Sequence, residues 1–275
     1  MGYWCASRYL AEKEVQMGRK GQWWNTKAKA LSGRKHVEKA GVKHKASNKN
    51  KLIGNVDFSE SIASRVQSVY RYFDDEKFAD AFVQGAIYIS TLEKCRQYED
   101  PLQGDPHEGH DFYSTGSTIT GDGDDPEFVS MAARLGIYIA PHVKQTSLNV
   151  KLATAVLRHA YVLCTTIGFE SDDLENTFGN YCVKIEDVEG FFNAVTRCLC
   201  VQLGSLRAGH RSIIYKERFT TGMQPMPGPI GFVKPPDKYA SQCEYRFLWF
   251  KDPEEDAQPL VIHCPEAAKY VTRVK

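Results

Sequence analysis

Charge is divided along this chain so sharply that it limits where a fold can form. Residues 1–51 hold 13 Lys/Arg and 3 Asp/Glu, a balance of +10, whereas residues 52–275 hold 22 and 31, a balance of −9. From Thr26 to Lys51 the text is Lys, Ala, Gly, Asn and His, with almost nothing to bury. Such a stretch cannot offset the entropy of ordering; it stays unfolded alone or becomes helical on a partner. Tyr3, Trp4, Trp23 and Trp24 are its main apolar anchors, suited to pinning it to the body or to stacking on bases. The chain therefore divides into a basic extension, 1–51, and one folded body, 52–275. The extension attracts polyanions such as nucleic acid or folds back on its own acidic body; the plain alternative is a solubilising tail.

The body has enough apolar text for a core, since 42% of the 275 residues are apolar and 25% charged. Val69–Phe73 reads as a strand and Asp74–Phe82 as a helix with Phe78, Ala81 and Phe82 on one face. Gly85 stops that helix before a strand over Ala86–Ser90. Further on, the pattern predicts helices over Glu127–Leu135, Leu152–Leu157 and Val188–Leu199. It predicts strands over Gly136–Ala140, Tyr161–Ile167, Phe178–Ile185, Ser212–Tyr215, Tyr245–Phe250 and Leu260–His263. Helices and strands do not alternate strictly, which argues for an α+β body. Residues 99–126 read as one long polar loop of Asp, Gly and Pro, and loops of that length are functional or mobile. The eight cysteines contain no C-x-x-C pair and sit mostly in apolar text. They predict reduced, buried thiols of a cytoplasmic protein, not a zinc ribbon or a disulfide framework. No apolar run is long enough to span a membrane, and no signal-peptide core or myristoylation pattern is present.

Three features with chemical content follow one another. Arg71 lies within the strand Val69–Phe73. Ser90 and Thr91 end the strand that begins at Ala86. Gln242-Cys243-Glu244 stands just ahead of Tyr245–Phe250, and two residues of one strand spaced by two face the same side. The order Arg, Ser-Thr, Gln-x-Glu resembles the Arg-Ser-Glu class of the ADP-ribosyltransferase superfamily in its Gln-x-Glu form. The body as a whole is similar to a bacterial family of unknown function. That family opens with a Tyr-Lys/Arg-Tyr strand, continues with a Phe-Asn-Asp-Pro-Phe-Glu loop and closes with a Glu-x-Glu-Tyr-Arg strand. Here the likeness runs through YRYF at 70–73, GAIYIST at 85–91, DPLQGDPHEG at 100–109 and VLCTT at 162–166. It continues through FGNYCVKI at 178–185, IIYKERF at 213–219 and KYASQCEYRF at 238–247. The chain departs from it at Glu99-Asp100-Pro101-Leu102, set against Asn-Asp-Pro-Phe, and at Cys164-Thr165-Thr166.

The resemblance implies a split β-sandwich of mostly antiparallel strands with flanking helices. It implies NAD-dependent mono-ADP-ribosyl transfer, with NAD as substrate, of the kind found in bacterial or phage toxins and antiviral defence. Breaking the nicotinamide–ribose bond builds positive charge on the sugar, and one fixed carboxylate stabilises it. Glu244 takes that role, Gln242 orients the acceptor, and Ser90 with Thr91 orders the strand and the Glu244 carboxylate. Arg71 grips the pyrophosphate through its planar fork. Tyr70 completes the NAD-binding set, and Tyr88 or Tyr181 stacks on the nicotinamide. Nucleic acid is the first acceptor expected and a protein side chain the second, with an inhibitor or antitoxin as a further partner.

Plainer readings stand beside these. Gln242 and Glu244 would form the solvent face of an edge strand, Arg71 would be a surface residue balanced by Asp74 or Asp75, and Ser90-Thr91 would cap a helix starting at Leu92. Asp100, Asp105, His107, Glu108, His110 and Asp111 form a dense set of oxygen and nitrogen ligands. A metal-dependent nuclease built on them is the alternative enzyme, and a solvated acidic loop the plain one. A non-catalytic nucleic-acid-binding module, its function held in the arm, is the alternative to an enzyme.

Overall fold

A computed structural model describes residues 66–98, 104–169, 178–250 and 256–275. The basic extension, its tryptophans and the Glu99–Leu102 segment with Asp100 lie outside the described residues.

The body opens with β1 (Val69–Phe73) and α1 (Glu76–Val83). Asp75 caps α1 by accepting the Lys77 N–H at 3.0 Å, and Ala79 and Phe82 form its buried face. Gly85 turns the chain at φ 86°, where a Cβ would stand 2.5 Å from the Cys264 carbonyl oxygen; only glycine fits. β2 (Ala86–Thr91), α2 (Leu92–Arg96), β3 (His110–Ser114), β4 (Ile119–Gly121) and α3 (Pro126–Arg134) follow. Next come β5 (Thr146–Leu148), β6 (Ala153–Val156), β7 (Ala160–Thr166), β8 (Tyr181–Ile185) and α4 (Val188–Leu203). The chain continues through β9 (Arg207–Ser212), β10 (Ile214–Tyr215), β11 (Phe219–Thr221), β12 (Val233–Lys234) and α5 (Pro236–Tyr239). It closes with β13 (Glu244–Phe250), β14 (Leu260–His263), α6 (Pro265–Ala268) and β15 (Val271–Arg273).

The molecule is mixed α+β, and its main sheet is antiparallel and forked. Its stem is β9-β13-β7, with β13 running along β7 from Glu244↔Thr166 to Phe250↔Ala160. The opposite edge of β7 is shared by two strands. β1 pairs at its end, Tyr70↔Thr166, and β2 nearer its start, Ser90↔Val162 and Thr91↔Tyr161. One branch continues as β1-β8-β15 and the other as β2-β14. Three small sheets lie outside it: β11-β3-β6, β4-β5, and the parallel pair β10-β12. The main core packs α1, α4 and α6 on the sheet through Phe82, Phe191, Leu199, Phe247, Trp249 and Ile262. α4 buries Val188, Phe191, Val195 and Leu199, the stripe expected of an amphipathic helix.

Several expectations are corrected. Leu152–Leu157, read as a helix, holds the strand β6, because a short apolar run has no period of its own and pairing with β3 decides. Gly136–Ala140 is not a strand; Ile137 and Ile139 instead pack against Phe128 and Met131 of α3. The polar loop at 99–126 contains β3 and β4 within its described part. The cysteines are not all free: Cys198 of α4 is disulfide-bonded to Cys264, with Cα atoms 6.1 Å apart and a sequence separation of 66. Packing of α4 on the β14–α6 junction brings them together, and no spacing rule reports such a pair. Among the described residues no helix is long and apolar enough to cross a membrane.

Candidate functional site

β13 begins abruptly. Ala240–Gln242 forms a 3₁₀ turn, and Cys243 is left-handed at φ 44° and ψ 43°. Gln242 and Glu244 are therefore not two positions of one strand, and the same-side expectation for them is corrected. Gln242 is buried in the turn, and its carbonyl accepts from Thr166 Oγ1 at 2.9 Å. Together with Tyr70, Arg71, Cys164 and Phe178 it lines a hollow with room for about one water at most.

Glu244 and Arg246, two apart on β13, do share a face. They enter a buried cluster of three cations and three carboxylates: Arg218, Lys234 and Arg246 with Asp105, Glu108 and Glu244, each between 1% and 5% exposed. Arg246 Nε donates to Glu244 Oε1 at 2.8 Å. Its Nη1 and Nη2 donate to the two oxygens of Glu108 at 2.8 and 3.1 Å, and Nη1 also reaches the Gly231 carbonyl at 2.6 Å. Gly231 sits at φ 87° where a Cβ would press within 2.8 Å of Leu157 and 2.9 Å of Leu248. Lys234 Nζ is 2.7 Å from Glu244 Oε2, an ion pair without hydrogen-bond alignment. It lies 3.6 Å from Glu108 and 4.8 Å from the Tyr239 ring centre. Arg218 donates to Asp105 at 2.6 Å and to the Val233 carbonyl at 2.9 Å. The Glu244 N–H donates to Tyr215 Oη at 2.7 Å.

Burying six charges is expensive, and only mutual pairing with further hydrogen bonds offsets it. Burial alone would raise the Glu108 and Glu244 carboxyls, but facing Arg246 and Lys234 outweigh it and hold both below the usual range. Burial would lower Lys234 and Arg246, and the same carboxylates raise them instead. Burial and the Glu244 charge push the Tyr215 phenol up to about 12. Glu244 is thus an ionised carboxylate in a dry setting, not the solvent face of an edge strand.

Arg71 is buried rather than a surface residue balanced by Asp74 or Asp75. Its Nη1 donates to the Cys164 carbonyl at 2.8 Å, and its guanidinium lies over Phe73 and Phe82 at 5.4 and 5.9 Å. Cys164 stands on β7 between the Tyr70 and Ser90 pairings, where the fork leaves the strand edge without a ladder partner, and the arginine satisfies its oxygen. Tyr70 is half-buried and stacks on Phe169 at 4.7 Å. The backbones of Arg71, Tyr70, Gln242 and Glu244 accordingly lie at the Thr166 end of β7, with the Arg71 guanidinium on the Phe73–Phe82 side of the sheet and the Glu244 carboxylate on the Lys234–Arg246 side.

The other candidates lie apart. Ser90 pairs with Val162, four residues before Thr166 on β7, a separation of roughly 13 Å along a strand. The Glu244 carboxylate is held by Arg246 and Lys234, so the ordering role expected of Ser90 and Thr91 belongs to those cations. Thr91 caps α2, its Oγ1 accepting the Lys94 N–H at 3.1 Å. Tyr88 is buried across from Val261. Tyr181 is on β8 beneath Arg273, whose guanidinium is 5.3 Å from its ring centre.

Three of the six donors of the metal alternative are engaged by arginines. Asp105 faces Arg218 and Glu108 faces Arg246, while both Asp111 oxygens take Arg134 Nη2 at 3.0 and 2.9 Å. Among the described residues no group of three or more such side chains could hold a metal ion.

Arg218, Lys234 and Arg246 were not singled out by the sequence, and Asp105 and Glu108 only as candidate metal ligands. One signal was present: Asp105-Pro106-His107-Glu108 carries an Asp-Pro-x-Glu pattern one Asp-Pro later than the register chosen at Glu99–Leu102. The other was the set of lone charges inside apolar text, Lys234 after Phe232-Val233 and Arg246 between Tyr245 and Phe247. No protein-family model, curated protein or solved structure matches this chain.

Proposed function

We propose that the protein is an NAD-dependent mono-ADP-ribosyltransferase of the toxin or antiviral-defence kind, with Glu244 as its essential carboxylate. The observation that supports this most is Glu244 itself, a buried carboxylate fixed by Arg246 and Lys234 at the start of β13. Arg71 on β1 borders the same end of β7, whereas Ser90 and Thr91 on β2 border its other end.

The chemistry asks for a fixed negative charge beside a ribose that turns positive as nicotinamide leaves. Arg246 and Lys234 keep Glu244 ionised and immobile, so no reorganisation accompanies the bond breaking. NAD would enter by widening the hollow beside Tyr70, Arg71, Phe178 and Gln242, and the sheet would have to open further for the ribose to reach Glu244, which does not line it. Gln242 would orient the acceptor, nucleic acid first and protein second.

A second reading rests on the completeness of the pairing. Three cations against three carboxylates make a neutral lock that joins distant segments, and a non-catalytic binding module needs nothing more. Release of nicotinamide from NAD, with RNA, DNA or lysate added, separates the two. The transferase reading expects release by the wild type and a loss of about a hundredfold or more in Glu244→Gln, measured at a temperature where circular dichroism shows that variant folded. A folded wild type that releases none with any acceptor leaves the lock alone.

A further inference from the structure

The sheet β6-β3-β11 has two unlike faces. Inward, Tyr113 packs with Phe128 and Met131 of α3, and Arg134 of the same helix holds Asp111. The outward positions follow from alternation and register: His110 and Phe112 on β3, Val156 and Thr154 on β6, Phe219 and Thr221 on β11. All six are half-buried or exposed, and Phe219 is 52% exposed.

Rings dominate this face. Phe219 lies directly across from Phe112 in the parallel ladder. His110 lies nearly parallel to Phe112, with centroids 5.8 Å apart and planes at 19°. His107, exposed on the turn before β3, stands edge-on to Phe112 at 5.2 Å and 89°. None of the six outward positions is a carboxylate, although residues 52–275 hold 31 acidic side chains against 22 basic ones. Burial, joined by the nearby Arg96 and Arg218 guanidiniums, holds the His110 imidazole below its ordinary value. A neutral imidazole is a flat ring suited to stacking.

We propose that this outward face binds single-stranded nucleic acid, with unpaired bases stacked on Phe219, Phe112 and His107. Exposed π-faces on a sheet accept any unpaired base, whereas a duplex hides its base faces within the stack. The balance of +10 in residues 1–51 draws a polyanion toward the otherwise acidic body. The proposal goes beyond the transferase reading and does not require it.

The test is fluorescence anisotropy with the full chain and labelled oligonucleotides of about 12 units, within the span one such surface covers. The probes are oligouridylate, a mixed-sequence single-stranded DNA and the matching duplex. The wild type is expected to prefer the single strands. Phe219→Ala with His107→Ala should weaken that binding by about tenfold or more. What remains should come from charge and fall steeply with salt. Both side chains are exposed, so folding is not at stake, and melting curves check it. Equal affinity of the double variant and the wild type overturns the proposal. So does a duplex bound as tightly as the single strands, or no binding by the wild type. Nicotinamide release without acceptor, measured on the same double variant, reports on the transferase reading separately.

Discussion

The two faces of β13 are built on opposite principles. Tyr245, Phe247 and Trp249 point into the aromatic core, where Phe247 stacks with Phe192 and Trp249 at 6.2 Å in both cases. One residue out of phase, Glu244 and Arg246 point into the charge cluster. The aromatic face is held by area and dispersion, which are non-directional and tolerate adjustment. The charged face is held by donor–acceptor geometry and tolerates little, because each partner removed leaves an opposite charge buried alone. The first face makes the fold stable. The second specifies which segments meet, since it ties 105–108, 218, 231–234 and 244–246 to one point.

The comparison breaks most visibly at Arg246. Arg246→Met removes both hydrogen bonds that hold the Glu108 carboxylate and one of the two cations on Glu244, and should cost about 3–5 kcal/mol in denaturant unfolding. Adding Glu108→Leu should recover much of that loss, because a packed apolar pair replaces a broken ionic one. Failure to recover would mean that the cluster's shape matters more than its charge balance.

Acid sharpens the contrast by separating the two faces in pH. The Glu108 and Glu244 carboxyls lie low in the fold, so the unfolded chain binds their protons first. Their contribution is present above the unfolded value of about 4.3 and disappears as pH falls below it. On the aromatic face, burial keeps the His210 imidazole low against the pull of Glu189. That face therefore loses stability earlier, as pH falls below the unfolded value of about 6.5. Melting temperature against pH should show two steps, and His210→Gln should remove only the upper one. The smallest effect is expected at Trp249→Phe. It removes the Nε1–H bond to Thr196 Oγ1, 2.8 Å long, and should cost about 1 kcal/mol by the same unfolding measurement.

Much of the scaffold was legible because its signals are local. The alternation in Val69–Phe73 and the apolar run Leu260–His263 mark strands with the observed bounds. Val188 begins a helix where Asp187 caps it, accepting the Gly190 N–H at 3.0 Å. Thr91 reads as a cap and is one. The candidate site was legible at Glu244 and at Arg71 but not in their surroundings. Arg71 looks like any strand arginine until the fork exposes the Cys164 carbonyl beside it. Gln242 looks like a strand neighbour of Glu244 until Cys243 turns left-handed between them. The acidic run after Gly104 looks solvated because carboxylates in a sequence carry no mark of the arginines that will face them.

The sequence by itself determined the split of charge between residues 1–51 and the acidic remainder, the α+β class, most of the strands and helices, and a carboxylate at the start of β13. These follow from composition and from periods that repeat along the backbone. Only the tertiary structure decided that β6 is a strand, that Cys198 meets Cys264 and that Glu108 shares Arg246 with Glu244. Strand pairing, disulfide geometry and Coulomb attraction act through space. Partners separated by 66 residues, as the two cysteines are, or by 138, as Glu108 and Arg246 are, leave no periodic trace in the text between them.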